Sequence, residues 1–310
     1  MALIDLEKQI TQLQQQLSNS ENKEEQKALK IQIAKLKDEA YNNISAYDRV
    51  YMARKSNRPH IQDYIQNIFD DFIGLHGDRL YLDDGSIMGG IALLDNQPVT
   101  VIGHAKGRTL DENLHCNFGM SSPEGYRKAL RLMKQAEKFH RPIITFIDTP
   151  GAYPGLEAEQ HGIGEAIARN LREMATLSVP VIAVVVGEGG SGGALALSVA
   201  DRILMLENSV YSILSPEGFA SILWKDKEGT RVKEAASLMK LTAKDLYEMK
   251  IIDHIIKEPK TGATVTSQKV YEQLKDYFIK TILELNKLSK TNLLNKRYQK
   301  YRTIGQVSVL

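Results

Sequence analysis

The chain has 310 residues, enough for one large domain or two modest ones. Its 40 basic and 38 acidic side chains leave a net charge of +2, which gives no reason to expect a nucleic acid partner. The single cysteine, Cys116, excludes an internal disulfide and a cysteine-rich zinc site, and it fits a reduced, cytoplasmic setting.

The first residues lack a basic start followed by an apolar block, so no signal peptide is expected. No apolar run approaches the roughly 20 residues needed to span a bilayer. Leu3, Leu6, Ile10, Leu13 and Leu17 repeat at the alternating spacing of a coiled-coil seam. Turn and cap residues at 18–22 break the pattern, and a second stripe follows at Leu29, Ile33, Leu36 and Ala40. These features predict a helical hairpin over residues 1–42. It either packs on its own domain or serves as a docking arm for another subunit. Residues 43–310 form the second predicted unit.

Residues 45–80 read as helical and then loop-like, ending in Leu75-His76-Gly77-Asp78-Arg79. Strands are predicted at 87–94 and 99–104, paired around Asp95-Asn96-Gln97-Pro98. A helix follows at 123–140, with apolar positions at Tyr126, Leu130, Met133 and Ala136. Further strands are predicted at 143–147, 181–186, 203–206 and 211–214. Helices are predicted at 159–176, 192–199 and 215–223, with a long C-terminal helix over 267–290. Apolar runs separated by helices imply an α/β fold with a sheet covered on both faces. Ser122-Pro123-Glu124-Gly125-Tyr126 is echoed by Ser215-Pro216-Glu217-Gly218-Phe219. The echo is either a helix-start signal used twice or the mark of repeated strand–strand–helix turns.

The most informative stretch begins at Val181. Six apolar residues, Val181 to Val186, precede five glycines in the seven positions 187–193, and an alanine- and leucine-rich segment follows. A strand, a glycine turn and a helix start make a place where peptide N–H groups can hold a developing negative charge. Asp148-Thr149-Pro150-Gly151 also follows a strand. A GTPase reading would need an upstream G-x-x-x-x-G-K-[ST] loop, and none precedes residue 148. The segment is either a plain turn or part of a ligand crevice in which Gly151 and Ala152 offer N–H groups.

Gly189-Gly190-Ser191-Gly192-Gly193 matches the nucleophile elbow of serine hydrolases, with Asp253 and His254 available in the usual order. Lys106 and Arg108 place two cations on a glycine-bearing loop, and Arg127, Lys128, Arg131 and Lys134 lie on the following helix. These cations read as a solvated basic face or as a phosphate or nucleotide-tail site. The histidines lack metal-ligand spacing, so no metal is expected.

Taken in order, several segments resemble the alpha-subunit family of bacterial acetyl-CoA carboxylase carboxyltransferases. They are His76-Gly77-Asp78-Arg79, the loop 103–108, Asn117-Phe118-Gly119-Met120, the segments 123–133, 148–155 and 187–195, Ser215-Pro216-Glu217-Gly218, and Ile222-Leu223-Trp224-Lys225. The resemblance covers nearly the whole chain. It implies a crotonase-like (ClpP/crotonase) spiral of strand–strand–helix units. It implies a beta subunit carrying a zinc ribbon, an alpha2beta2 assembly, and a site between subunits. A biotin carboxylase charges biotin on a biotin carboxyl carrier protein using ATP. The carboxyl group then passes to acetyl-CoA, giving malonyl-CoA for fatty acid synthesis. Gly192 and Gly193 match the family glycines whose N–H groups hold the ureido oxygen of biotin, and Ser191 becomes a small turn residue.

The chain departs from the family pattern at three places. After Ala158-Glu159 the family continues Glu-Arg-Gly-Gln, where this chain has Gln160, His161, Gly162 and Ile163. Cys116 stands where arginine is usual, and Lys260-Thr261-Gly262 replaces Leu-Gly-Gly. The lost arginines bear on partner contacts or substrate anchoring. The alternatives are a serine hydrolase using Ser191 and a divergent, non-catalytic scaffold subunit.

Overall fold

A computed structural model describes residues 3–305. Among them, eight strands form one sheet: β1 Asp70–Gly74, β2 Ile87–Leu94, β3 Gln97–His104, β4 Ile143–Thr149, β5 Val181–Gly190, β6 Arg202–Leu206, β7 Val210–Ser212 and β8 His254–Ile256. Their order is β1-β2-β3-β4-β5-β6-β8, and β7 pairs with the far end of β5. The first three strands are antiparallel, and the sheet is parallel from β3 through β8.

The apolar runs reflect burial on both faces. Side chains alternate along a strand, so Ile144 and Phe146 of β4 enter one apolar cluster and Ile143 and Ile147 the other. The first cluster holds Tyr64 and Ile68 of helix Ile61–Ile68 and Phe278 of helix Gln268–Leu285. The second holds Leu132 and Met133 of helix Pro123–Lys138 and Met174 of helix Ile163–Thr176. Between β2 and β3 the turn is tighter than expected. Asp95 and Asn96 both take positive φ, and Leu94 pairs with Gln97. This two-residue turn matches the natural strand twist.

The N-terminal hairpin is made by helices Leu3–Asn19 and Lys23–Asn42. Asn22 caps the second by accepting from the Glu24 amide at 2.9 Å. The hairpin packs on its own chain. Leu3, Leu6, Ile10, Ile33 and Ala40 close over Met52 of helix Ala46–Ala53. Glu7 fastens the contact by accepting from Lys55 Nζ at 2.5 Å, Tyr51 Oη at 2.9 Å and the Tyr41 hydroxyl.

Four predicted elements differ. The helix predicted at 159–176 is two, Leu156–Gln160 and Ile163–Thr176, because Gly162 takes a left-handed turn at φ 80° between them. The C-terminal helix is also two, Gln268–Leu285 and Lys290–Thr303, the second capped by Ser289. The glycine run is not a loop, since β5 stays extended through Gly190. The segment predicted as helix 192–199 spans Ser191–Leu195. The ends of the predicted units, residues 1–2 and 306–310, lie outside the described residues.

Both echoed segments start helices that follow a pair of strands. Pro123–Lys138 follows β2 and β3, and Pro216–Trp224 follows β6 and β7. Ser215 caps its helix through the Gly218 amide at 3.0 Å. Ser122 does not cap. Its amide and hydroxyl donate instead to Asp84 Oδ2 at 2.7 and 2.8 Å.

Candidate active site

β4 and β5 end side by side, with Thr149 opposite Gly189. At this end the two chains press together. A Cβ at Gly190 would run into the Pro150 carbonyl. Ser191 then turns the chain with φ 56°, and a short helix begins. Gly192 and Gly193 are its second and third residues, so their N–H groups are among those no carbonyl of the helix can accept.

Gly193 is buried against the turn that follows β4. A Cβ there would lie 2.6 Å from the Ala152 nitrogen and 2.7 Å from both the Gly151 carbonyl carbon and Tyr126 Oη. Gly192 is half-buried, and its Cβ would meet only Ile167, at 3.6 Å. Gly151, Ala152, Gly192 and Gly193 therefore come together. Ser191 and Gly192 open onto a cavity of 830 Å³ with largely apolar walls, including Leu195, Leu214, Phe219 and Leu223.

The two loop cations diverge. Lys106 Nζ lies 2.6 Å from Asp148 Oδ1, an oxygen that also accepts the Glu188 amide at 3.0 Å. Lys106 thus helps tie the end of β4 to β5. Arg108 turns away to Asp63. Each is matched by a carboxylate.

Several residues that sequence reasoning did not single out support the crevice. Arg54 forks onto Glu188 at 2.6 and 3.0 Å and reaches Glu217 at 2.9 Å. Burial opposes the Arg54 charge, but the hydrogen bonds to Glu188 and Glu217 outweigh it and raise its pKa. His104 is buried at the end of β3, and burial pushes its pKa down to about 4 despite the nearby Asp148 carboxylate. Tyr126 is fully buried, and burial pushes its hydroxyl up. Asn170 Nδ2 bridges the Tyr126 carbonyl at 3.1 Å and the Ala196 carbonyl at 3.3 Å, linking helix Pro123–Lys138 to the glycine turn.

The serine-hydrolase alternative fails on register. His254 pairs with Leu204, and Leu204 with Val184. Val184 lies well before Ser191 along β5, a separation on the order of 20 Å at the rise of an extended chain. The His254 ring stacks on Tyr277, and Asp253 is held by Lys300 and the Ile203 amide. No Ser-His-Asp triad assembles.

The departures from the family pattern are accommodated locally. His161 Nδ1 lies 3.0 Å from Glu124 Oε1, so a ring meets a carboxylate where arginine is usual. Ile163 is buried beside Tyr126 and Ala196, and Gln160 is exposed at a helix end. Cys116 is buried, which pushes its thiol up. Lys260 Nζ reaches Asp38 at 3.4 Å and Asn42 at 3.2 Å on the hairpin. Among the described residues no cluster of three or more metal-ligating side chains occurs, and no helix is long and apolar enough to cross a membrane.

Residues 1–305 match the family described as "Acetyl co-enzyme A carboxylase carboxyltransferase-like". The chain belongs to this carboxyltransferase family. A relative from Bacillus cereus (strain G9842), named acetyl-coenzyme A carboxylase carboxyl transferase subunit alpha, is 54% identical over 308 residues, covering 99% of this chain and 94% of its own. A relative of the same name from Bacillus thuringiensis (strain Al Hakam) matches with the same identity and coverage. Solved structures carry the same crotonase-like fold. A transcarboxylase 12S with methylmalonyl-coenzyme A bound matches at TM-score 0.57 and 18% identity, over 77% of this chain and 46% of that one. A Pseudomonas malonate decarboxylase hetero-tetramer in complex with coenzyme A also matches at TM-score 0.57, with 16% identity, over 68% of this chain and 84% of that one. Family membership makes the chain a carboxyltransferase component of acetyl-CoA carboxylase, of the alpha-subunit type.

Proposed function

We propose that this chain provides the biotin side of a carboxyltransferase site, at which a carboxyl group passes from carboxybiotin to acetyl-CoA to give malonyl-CoA. The observation that carries the reading is the position of Gly192, whose peptide lies in the first turn of a helix at the mouth of an apolar cavity. Biotin bound there supplies the carboxyl group and a basic ureido nitrogen. Gly192 and Gly193 would hold the ureido oxygen through two peptide N–H donors in the first turn of the helix. Donors fixed in place before reaction need no reorganisation as charge develops, and each is worth roughly 3–4 kcal/mol. The apolar walls suit a bicyclic ring and its methylene arm, and they exclude water from the donors. Gly151 and Ala152 hold the Gly193 peptide in place from the opposite strand end.

The partners in this reading are a zinc-ribbon beta subunit that completes the acetyl-CoA side, the biotin carboxyl carrier protein and biotin carboxylase. The assembly is alpha2beta2, acting in the cytoplasm. Residues 1–42 are its docking element, and residues 43–310 form the carboxyltransferase domain. Leu195→Trp tests the cavity assignment, because Leu195 is partly exposed and lines the cavity. In the assembled complex it should raise the KM for a biotin ester and leave that for malonyl-CoA unchanged in the reverse reaction. Equal effects on both substrates, or none, would reject the assignment.

A further inference from the structure

The cations of helix Pro123–Lys138 divide sharply. Arg127 is held by Asp78 and Glu124, and Lys134 lies between Glu137 and Glu173. Lys128 is buried against Asp83 and the Asp84 carbonyl. Among the described residues, Arg131 has no carboxylate partner. Its Nε donates to the Gly77 carbonyl at 3.0 Å and its Nη2 to the His76 carbonyl at 3.1 Å. Arg79 donates to the same His76 carbonyl through Nη1 at 2.7 Å. Two guanidinium groups therefore share one neutral acceptor.

The nearest carboxylates are already engaged. Asp78 accepts from the amides of Leu80 and Tyr81 and from Arg127. Asp83 accepts from the Gly77 amide and Lys128, and it pairs with His76. Burial and the Arg79 charge both pull the Arg131 pKa below its ordinary value. A guanidinium has more N–H donors than these contacts use. Arg131 also lines a cavity of 320 Å³ with Leu80, Lys134 and Arg169, whose carboxylates, Asp78 and Glu173, are held by Arg127 and Lys134.

We propose that Arg79 and Arg131 form a phosphate-binding site. A phosphate dianion would take donors from both forks and neutralise the paired charges. Its source is either the nucleotide tail of coenzyme A or free phosphate. The coenzyme A source rests on the carboxyl-transfer reading and the free-phosphate source does not; the readout is binding rather than turnover.

The test is calorimetric titration of the full chain with inorganic phosphate, coenzyme A and dephospho-coenzyme A. Saturable binding is expected, weakened by about tenfold or more in Arg79→Gln and partly retained in Arg79→Lys. Arg79 is exposed and makes a single hydrogen bond here, so its loss spares the fold. Arg131→Gln is the second variant. Coenzyme A binding that is lost in the dephospho form identifies the nucleotide tail, and phosphate binding without competition by coenzyme A identifies the free ion. No saturable binding of any probe, or binding unchanged in both glutamine variants, overturns the site.

Discussion

Gly193 and Ala152 sit so close that a methyl group on the first would reach to 2.6 Å from the nitrogen of the second. Two turns from neighbouring parallel strands are thereby locked face to face, and the Gly193 peptide has one position available. Gly193→Ala should lower stability by about 1–3 kcal/mol through overpacking. Gly192→Ala should leave it unchanged or raise it by up to about 1 kcal/mol, since alanine favours a helix. Denaturant melts of the two variants check the contrast. A bulky residue at Gly193 would disturb the fold as well as the chemistry.

Ser191 holds a left-handed backbone at φ 56° without any catalytic partner nearby. Ser191→Gly should therefore stabilise the chain by about 1 kcal/mol. Ser191→Ala should retain most carboxyl transfer. Turnover abolished by the alanine variant would restore a nucleophilic role for the hydroxyl.

His104 should give the stability profile an acid limb. Burial lowers its pKa from 6.5 to about 4 in the folded chain. Between those values the unfolded chain binds the proton and the folded chain does not. Stability from this group is complete above pH 6.5 and is lost as pH falls towards 4, by about 3 kcal/mol. His104→Asn should flatten that part of the curve. An identical pH dependence in both proteins would contradict the assignment.

Arg297, on helix Lys290–Thr303, is buried against the body of the domain. It donates to Asp201 at 2.9 and 2.6 Å and to the carbonyls of Met174, Leu177 and Val179. Arg297→Met leaves the Asp201 carboxylate buried and unmatched, and should cost about 3–5 kcal/mol. Adding Asp201→Asn should recover part of the loss in equilibrium unfolding.

Glu7 joins the two hairpin helices through Tyr41 and ties the hairpin to Tyr51 of helix Ala46–Ala53 and to Lys55 just beyond it. Glu7→Ala should speed proteolytic cleavage around residues 20–22 while the main unfolding transition stays in place. Unchanged cleavage would show that the apolar contacts of Leu3, Leu6 and Ile10 suffice alone.

The elements legible in the sequence were those with strong local patterning. The hairpin stripe, the apolar strands and the proline-led helix starts each carry their signal within a few neighbouring residues. Short elements such as β1 and β8 do not, because pairing with distant partners decides them. The glycine run could be placed but not shaped. Gly190 belongs to a strand because it pairs with Ser212 of β7, a contact no local pattern encodes. The same limit hid Arg54, whose two carboxylate partners lie 134 and 163 positions away. It also made Lys106 and Arg108 look like free cations, when each has a carboxylate from a remote segment.

The peptide donors can be removed without changing shape. Replacing Gly192 or Gly193 by glycolic acid through semisynthesis converts one amide to an ester and deletes a single N–H. In the complex with the beta subunit, malonyl-CoA formation should then fall by about 10²–10³ in kcat, with assembly intact. Undiminished turnover in both ester proteins would contradict charge stabilisation by these two peptides.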